Sequence, residues 1–280
     1  MEKFVYNGKF LSKGTAIISS ENRGLRFGDG CFETMKVING KIILSDLHFA
    51  RLFSTLELLG FDLHQSFNHS ILADQVLALL HANKHTDHAR VRINVFRSDG
   101  GLFDAENDLP NYIIESWKLN NTVGDFNTNG YVVDLYKDAR KSCDHFSHIK
   151  SNNFLPYIMA AKWAKANHLN EAILLNSFDR LADATIANIF VVQDGILKTP
   201  AITEGCIAGI MRKYLINACR KEGIPVEETT IHVDDLLNAS EVFLTNAIKG
   251  IRWVKQVGDL NYTHQVSKLL HRKLVKSLWG

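Results

Sequence analysis

The 280-residue chain lacks several features that would point directly to a function. Its four cysteines show no CxxC or other metal-ligand spacing, so neither a metal site nor a disulfide framework is indicated. Lys and Arg number 32 against 30 for Asp and Glu, which argues against a nucleic-acid-binding surface. No apolar run approaches the ~20 residues of a membrane-spanning helix. The first ten residues, MEKFVYNGKF, have no apolar signal-peptide core. These absences predict a cytoplasmic protein with reduced thiols and a small-molecule partner, without metal, nucleic acid or membrane.

The composition that remains is that of a globular protein. Apolar residues make up 46% of the chain and charged residues 22%, and the length allows one large or two moderate domains. The polar, glycine-bearing stretch NNTVGDFNTNG at 120–130 has no hydrophobic period and predicts a linker. It would join an N-terminal α/β domain, 1–119, to a C-terminal domain, 131–280. Helical and strand patterns occur on both sides, which predicts a mixed α/β (α+β) fold.

The N-terminal part begins as an antiparallel meander and continues into a helix. Asn7-Gly8 and Asn39-Gly40 are typical of tight hairpin turns, and the second follows the strand CFETMKVI. Ser45 or Asp46 is expected to cap the helix, and Gly60 to end it. A second helix is predicted over 67–83, with strands at 89–96 and 111–116. The predicted buried stripe of the first helix is Leu47, Ala50, Phe53 and Leu56.

The C-terminal part alternates strands and helices. A helix is predicted from Leu155, because Pro156 is acceptable in a first turn, and another from Gly209. A hairpin is expected at Asp194-Gly195, and an amphipathic helix over 266–278 is expected to close the chain.

Three segments of this part carry residues suited to one kind of chemistry. A lysine precedes a helix in IKSNNFLPYIMAAKWAK (149–165), and an acid precedes a strand in RLADATIANIFVVQDGILKTP (180–200). A glycine-rich turn opens a helix in EGCIAGIMR (204–212). A lysine condenses with an aldehyde, a carboxylate holds a protonated ring nitrogen, and free N–H groups at a helix start receive a phosphate. A phosphorylated aldehyde cofactor would use all three.

Together with RGLRFGDGCFET (23–34), DLHFARL (46–52) and EVFLTNAIKGI (241–251), these segments resemble the class IV pyridoxal-phosphate enzymes, or fold type IV. That family contains branched-chain and D-amino acid aminotransferases and aminodeoxychorismate lyases. The resemblance covers nearly the whole chain, in order and at the family's spacings. It implies two α/β domains with pyridoxal 5′-phosphate in the cleft between them, and a homodimer in which a neighbour's loop closes the pocket.

The resemblance also implies individual roles. Lys150 corresponds to the Schiff-base lysine, which also moves a proton between the substrate and the cofactor. Asp183 stands where the family usually has glutamate and would keep the pyridine nitrogen protonated, although it is one methylene shorter. Arg51 and the N–H groups at the start of the helix would bind the phosphate. The implied cofactor-binding set is Arg51, Lys150, Asp183, Ala187, Asn188, Ile207, Ile210, Met211, Asn246 and Ala247.

On the substrate side the resemblance implies Phe32, Thr34 and Arg97, the last as a receptor for a substrate carboxylate. Phe154 and Phe32 stand where branched-chain and D-amino acid enzymes, respectively, carry tyrosine. GDGCF and TNAIKGI look closest to aminodeoxychorismate lyases, although Glu33 interrupts the first motif. The first hypothesis is therefore a lyase that removes pyruvate from aminodeoxychorismate to give 4-aminobenzoate on the folate route.

Two alternatives stay open. An aminotransferase for branched-chain or D-amino acids would begin with the same proton abstraction and differ in whether the amino group is transferred. A non-catalytic cofactor-binding relative is the other, because Asp183, Met211 and Ala247 all depart from the family pattern.

Overall fold

A computed structural model describes residues 1–279, and the chain divides into two compact units. The first consists of Met1–Val123 with Lys150–Asn153, and the second of Gly124–Ile149 with the chain from Phe154 onward. The division at Val123 lies inside the predicted linker 120–130. The lysine segment differs from the prediction, which placed Lys150 in the C-terminal part, because its backbone pairs with a strand of the first unit.

The first unit contains a six-stranded antiparallel sheet in the order β2-β1-β6-β5-β3-β4. The tight turns at Asn7-Gly8 and Asn39-Gly40 are confirmed, since all four residues have positive φ, as such hairpins require. The strands are β1 (Lys3–Tyr6), β2 (Lys9–Ser12), β3 (Gly30–Ile38), β4 (Lys41–Ile42), β5 (His88–Arg97) and β6 (Pro110–Lys118).

Helices pack on the apolar face of this sheet. They are α2 (Ser45–Leu58) and α3 (His69–Asn83), whereas α1 (Arg23–Phe27) buries only Arg23 of its five residues. The predicted cap of α2 is wrong, because the N-cap is Leu44 in the left-handed conformation and no side chain in the described part of the chain caps the helix. The predicted stripe of α2 is confirmed at Leu56, and Phe53 packs against the core, but Ala50 is exposed and Leu47 is only partly buried. The helix buries His48, Phe49, Leu52, Thr55 and Leu56.

The second unit is built on a nine-stranded mixed sheet. Its order is β12-β11-β10-β13-β14-β7-β8-β9, with β15 added against β14. The pairs β11–β12, β14–β7 and β7–β8 are parallel and the others antiparallel. The strands are β7 (Tyr131–Lys141), β8 (Glu171–Asn176), β9 (Leu181–Ala184), β10 (Asn188–Gln193), β11 (Ile196–Pro200), β12 (Val226–Thr229), β13 (Glu241–Asn246), β14 (Gly250–Val257) and β15 (Leu260–Asn261).

The helices of this unit are α4 (Leu155–Ala166), α5 (Ile210–Lys221), α6 (Asp235–Asn238) and α7 (Gln265–Leu270). The predicted starts of α4 and α5 and the turn at Asp194-Gly195 are confirmed. The closing helix is not one regular helix, because α7 passes into a π-helical turn at His271–Val275 and then into a 3₁₀ turn. Within residues 1–279, no helix is both long and apolar enough to cross a membrane.

Candidate active site

Lys150 is held against the sheet of the first unit by its backbone. Its carbonyl accepts a hydrogen bond of 2.9 Å from the N–H of Phe32, and the N–H of Asn152 donates to the carbonyl of Gly30 at 2.9 Å. A side chain at Gly30 could not be accommodated, because a Cβ there would lie 2.2 Å from the carbonyl oxygen of Val95. Strand β3 and glycine therefore set the position of the lysine segment.

The side chain of Lys150 points toward an aromatic ring, that of Phe32, which the family resemblance predicts on the substrate side. Lys150 Nζ lies 4.5 Å from the ring centroid of Phe32, and the guanidinium carbon of Arg92 lies 4.0 Å from the same centroid. Thr34 is half-buried and follows Phe32 by two residues in β3, which places both on one face of the strand. Phe32 and Thr34, the two predicted substrate residues of β3, thus lie on the same face of the strand, and Lys150 Nζ contacts the ring of Phe32.

Arg51 forms a buried ion pair with Glu33. Its Nε and one terminal nitrogen donate to the two carboxylate oxygens at 2.6 and 2.8 Å. His48 Nδ1 lies 2.7 Å from the same carboxylate. Burial by itself would raise the pKa of Glu33, but the charge of Arg51 and the bonds from Arg51 and His48 lower it to about 2. The predicted phosphate arginine is therefore oriented by an ionised carboxylate.

Arg97 is occupied by internal partners. Its guanidinium donates to Asp29 at 3.1 Å, to Asp108, and to the carbonyl of Leu59 at 2.6 Å. Its side chain also lies over the ring of Phe61, 4.3 Å from the centroid. Its role as receptor for a substrate carboxylate stays a prediction, and it would require these bonds to be exchanged.

Asp183 lies in β9 of the second unit, 1% exposed, inside a network of donors. The hydroxyl of Tyr157 donates to Oδ2 at 2.7 Å, the N–H of Ile207 donates to Oδ2 at 2.8 Å, and Asn188 Nδ2 donates to Oδ1 at 2.7 Å. Lys141 Nζ lies 3.5 Å from Oδ2. Burial raises the pKa of Asp183, while Lys141 and the three donors oppose that rise.

Asn188 joins the acid to the start of α5. Its amide also donates to the carbonyl of Ile207 at 2.7 Å. Gly209 is the N-cap of α5, where a Cβ would lie only 1.8 Å from Asn188 Oδ1. Among residues 1–279 no side chain caps this helix, so its first N–H groups, those of Ile210 and Met211, suit an anion at the positive end of the helix dipole.

The other predicted cofactor residues lie in turns of the same unit. Ala187 closes a turn in which its carbonyl accepts a bond of 2.8 Å from the N–H of Ala184. Asn246 ends β13, and its side-chain oxygen accepts bonds from the N–H groups of Ile248 and Lys249 at 3.1 and 2.8 Å. Ala247 lies inside that turn and is partly buried. The amide of Asn246 therefore shapes the turn.

Taken separately, each unit contains groups that suit a part of a phosphorylated pyridine aldehyde. One carboxylate oxygen of Asp183, Oδ1, accepts a single bond within the described residues, so an acceptor direction remains for a ring N–H. In the second unit, α5 offers uncapped N–H groups that suit a phosphate. In the first unit, Lys150 offers an amine.

Sequence reasoning did not identify Glu33, His48, Tyr157 or Lys141 as site partners. In the sequence, Glu33 stands out only because it interrupts a family motif. A signal existed for His48, because it lies three residues before Arg51 and the two therefore share one face of α2. No local signal pointed to Tyr157 or Lys141, which lie 26 and 42 residues from Asp183 in the chain.

Comparison with known proteins places the chain in a family. The model for amino-transferase class IV matches residues 30–257. A putative branched-chain-amino-acid aminotransferase from Methanocaldococcus jannaschii is 29% identical and covers 99% of this chain and 98% of its own. An aminodeoxychorismate lyase from Bacillus subtilis is 26% identical, covering 97% and 94%.

A solved structure supports the fold. The branched-chain amino acid aminotransferase of T.th., crystallised with pyridoxamine 5′-phosphate, superposes with a TM-score of 0.89 at 19% identity, covering 100% of this chain and 94% of its own. The predictions of a fold type IV architecture and of a class IV enzyme that uses pyridoxal 5′-phosphate are confirmed at the level of the family. The chain belongs to the class IV aminotransferase family.

Proposed function

We propose that this protein binds pyridoxal 5′-phosphate covalently and acts on a small amino-bearing substrate, most directly as a 4-amino-4-deoxychorismate lyase. The observation that carries the cofactor assignment is the bridge made by Asn188. It bonds the buried carboxylate of Asp183 and the carbonyl of Ile207, directly before the uncapped start of α5. An acid for a ring nitrogen and a receptor for a phosphate are thereby joined by hydrogen bonds to one side chain.

Each residue has a distinct task in this proposal. When bound, pyridoxal 5′-phosphate supplies an aldehyde that condenses with amines and a ring that withdraws electrons from the substrate carbon that carries the amino group. The amine of Lys150 condenses with the aldehyde, and afterwards it moves the proton of the substrate carbon that carries the amino group. Asp183 holds a proton at the ring nitrogen. Arg51, the first turn of α5 and the Asn246-Ala247 turn bind the phosphate.

The lyase assignment is supported by residues near the predicted amine. GDGCF leads into β3, where Phe32 and Thr34 share a face, and the ring of Phe32 lies under Lys150. The chain is similar to the Bacillus subtilis lyase over nearly its whole length. The reaction would release pyruvate and leave 4-aminobenzoate, a step on the folate route.

An aminotransferase is the second candidate. The similarity to the Methanocaldococcus jannaschii protein, which is named as a putative branched-chain-amino-acid aminotransferase, favours it. Both reactions would need the same lysine and the same acid. They differ in whether the amino group stays on the product or remains on the cofactor.

The cofactor proposal is tested by reducing the holoprotein with borohydride and locating the modified residue by peptide mass spectrometry. We expect the label on Lys150 and none in Lys150→Ala. A matched control is Lys162→Ala, which changes an exposed lysine of α4. Label on another lysine would contradict the assignment of Lys150. No label in the parent protein would contradict the proposal and would favour a non-catalytic relative.

The choice between reactions is tested with two substrates. Aminodeoxychorismate is expected to yield pyruvate and 4-aminobenzoate in equal amounts, with the aldehyde form of the cofactor retained. Conversion of the cofactor to its pyridoxamine form by a branched-chain or D-amino acid, without pyruvate from aminodeoxychorismate, would instead establish the aminotransferase.

Assembly and location are further proposals that follow from the family resemblance. We expect a homodimer in the cytoplasm, with a neighbour's loop completing the pocket. Sedimentation velocity would test the dimer directly, and a single species of monomer mass at micromolar concentration would exclude it.

A further inference from the structure

The surroundings of Asp183 contain two groups to which the proposed function assigns no task. The hydroxyl of Tyr157 donates to Oδ2 at 2.7 Å, and its ring stacks on Phe154 with centroids 4.2 Å apart and an interplanar angle of 16°. Lys141 Nζ lies 3.5 Å from the same oxygen and 4.9 Å from the centroid of the Tyr157 ring. All three polar side chains, Lys141, Tyr157 and Asp183, are buried.

The donors are divided unequally between the two carboxylate oxygens. Oδ2 accepts from Tyr157, from the N–H of Ile207 and from the more distant Lys141, whereas Oδ1 accepts from Asn188 alone among residues 1–279. A carboxylate oxygen has two lone pairs. Oδ2 is therefore saturated, and Oδ1 is the oxygen that retains an acceptor direction.

We propose that Tyr157 is a positioning residue for Asp183, which it holds by Oδ2 so that Oδ1 meets the ring nitrogen of the cofactor, with Lys141 supplying the compensating charge. This inference rests on the proposed function and adds to it the residues that set the orientation and ionisation of the acid. Neither Tyr157 nor Lys141 needs to touch the reacting atoms.

The physical need for both groups follows from burial. A carboxylate with no access to water is stabilised in its charged form only by donors and positive charge around it. Burial alone raises the pKa of Asp183. Burial, followed by the neighbouring Asp183, raises the pKa of Tyr157 well above its ordinary value, so this hydroxyl remains a proton donor. A neutral Asp183 could not keep a ring nitrogen protonated by charge.

The experiment compares the affinities of the apoprotein for pyridoxal 5′-phosphate and for its 1-deaza analogue, in which carbon replaces the ring nitrogen. The dissociation constant of the analogue divided by that of the natural cofactor reports the contact with Asp183. This ratio does not depend on activity. We expect Tyr157→Phe to lower the preference for the natural cofactor about tenfold, the scale of one hydrogen bond to a charged group. The ¹⁵N shift of ring-labelled cofactor should move toward the unprotonated form.

Two further variants keep the test decisive if Tyr157→Phe is unstable. Lys141→Met should lower the same ratio. Lys141→Arg, which keeps the positive charge, should leave the ratio near that of the parent protein. Tyr136→Phe is the matched control, since Tyr136 is a buried tyrosine of the same apolar cluster and is not among the donors to Asp183. The inference is overturned if the ratio is unchanged in Tyr157→Phe and Lys141→Met, or if the control lowers it equally.

Failure of the proposed function would look different. If the parent protein itself does not distinguish the natural cofactor from the deaza analogue, while Asp183→Asn behaves like the parent, Asp183 does not hold the ring nitrogen. The inference about Tyr157 would then fail together with that assignment. A parent protein that discriminates, with variants that also discriminate, would contradict the inference alone.

Discussion

Glu33 binds Arg51 through both carboxylate oxygens, at 2.6 and 2.8 Å, and the pair lies almost completely out of water. The ion pair links the strand that faces Lys150 to the helix that carries the predicted phosphate arginine. The orientation of Arg51 therefore depends on the ionisation of Glu33.

Replacement of Glu33 by glutamine should destabilise the protein and weaken phosphate binding. Removing one partner of a buried ion pair costs about 3 kcal/mol, because it leaves the other charge uncompensated. The folded pKa of Glu33, about 2, is lower than the ordinary 4.5, so its contribution is complete above pH 4.5 and is lost as the pH falls toward 2. Urea unfolding should show the full difference at pH 7 and a smaller one near pH 3. A constant difference across this range would contradict the assignment.

Replacement of Asn188 by aspartate should reduce cofactor affinity strongly while preserving side-chain shape. It removes the two N–H donors to Asp183 and Ile207 and places a second carboxylate beside the first. We expect a loss of at least 2 kcal/mol in binding free energy, roughly thirtyfold in dissociation constant, measured by titration of the apoprotein with pyridoxal 5′-phosphate. Asn167→Asp is the control, since exposed Asn167 also donates to a carbonyl, that of Trp163. Equal losses in both variants would exclude a specific bridge.

Replacement of Arg97 by leucine should act on stability before it acts on substrate binding. The change leaves Asp29 with one fewer ionic partner and two carbonyls without their donor, at a cost of about 3 kcal/mol. Thermal unfolding should show a clear decrease in Tm. Arg140→Leu, which removes an exposed pair with Asp179, should cost less than about 1 kcal/mol. A raised KM with unchanged Tm would instead support the predicted contact with a substrate carboxylate.

Glu171 should make stability fall as the pH rises. Burial raises the pKa of its carboxyl to about 7, against the opposing charge of Lys249, and its Oε2 has no hydrogen-bond partner among the described residues. Because the folded state binds this proton more tightly, stability is greatest below the ordinary pKa of 4.5 and declines as the pH passes 7.

We therefore expect Glu171→Gln to match the parent near pH 4.5 and to exceed it above pH 7, by up to about 3 kcal/mol. The measurement is the free energy of unfolding in urea across that range. The exposed Glu227→Gln should follow the parent at every pH. A Glu171→Gln variant that declines as steeply as the parent would show that another group titrates.

The agreement between sequence and structure is strongest where the signal is local. Asn-Gly turns were predicted correctly because positive φ at both residues is a property of the dipeptide itself. The start of α2 was not predicted, because Leu44 adopts a left-handed conformation that leucine rarely takes by itself. Its buried face includes His48, whose ring contacts the buried carboxylate of Glu33, and a periodic pattern of apolar residues does not predict a buried histidine.

The candidate site shows the same division. Motif spacing predicts Lys150, Asp183 and the start of α5 as parts of the site, because each lies in a short local segment. The residues that surround Asp183 come from β7 and α4, and only the folded chain brings them to the acid. A pattern of apolar and polar positions has no information on such long-range polar contacts.

The four residues Lys150–Asn153 belong to the first unit, although the chain on both sides of them belongs to the second. No single cut of the polypeptide can therefore release either unit complete. A fragment ending at Val123 would lose the stretch that pairs with β3, and the remainder would contain the amine without the strand that holds it. Attempts to express the halves separately should include this short segment as an added peptide, or join it to the first fragment by a new linker.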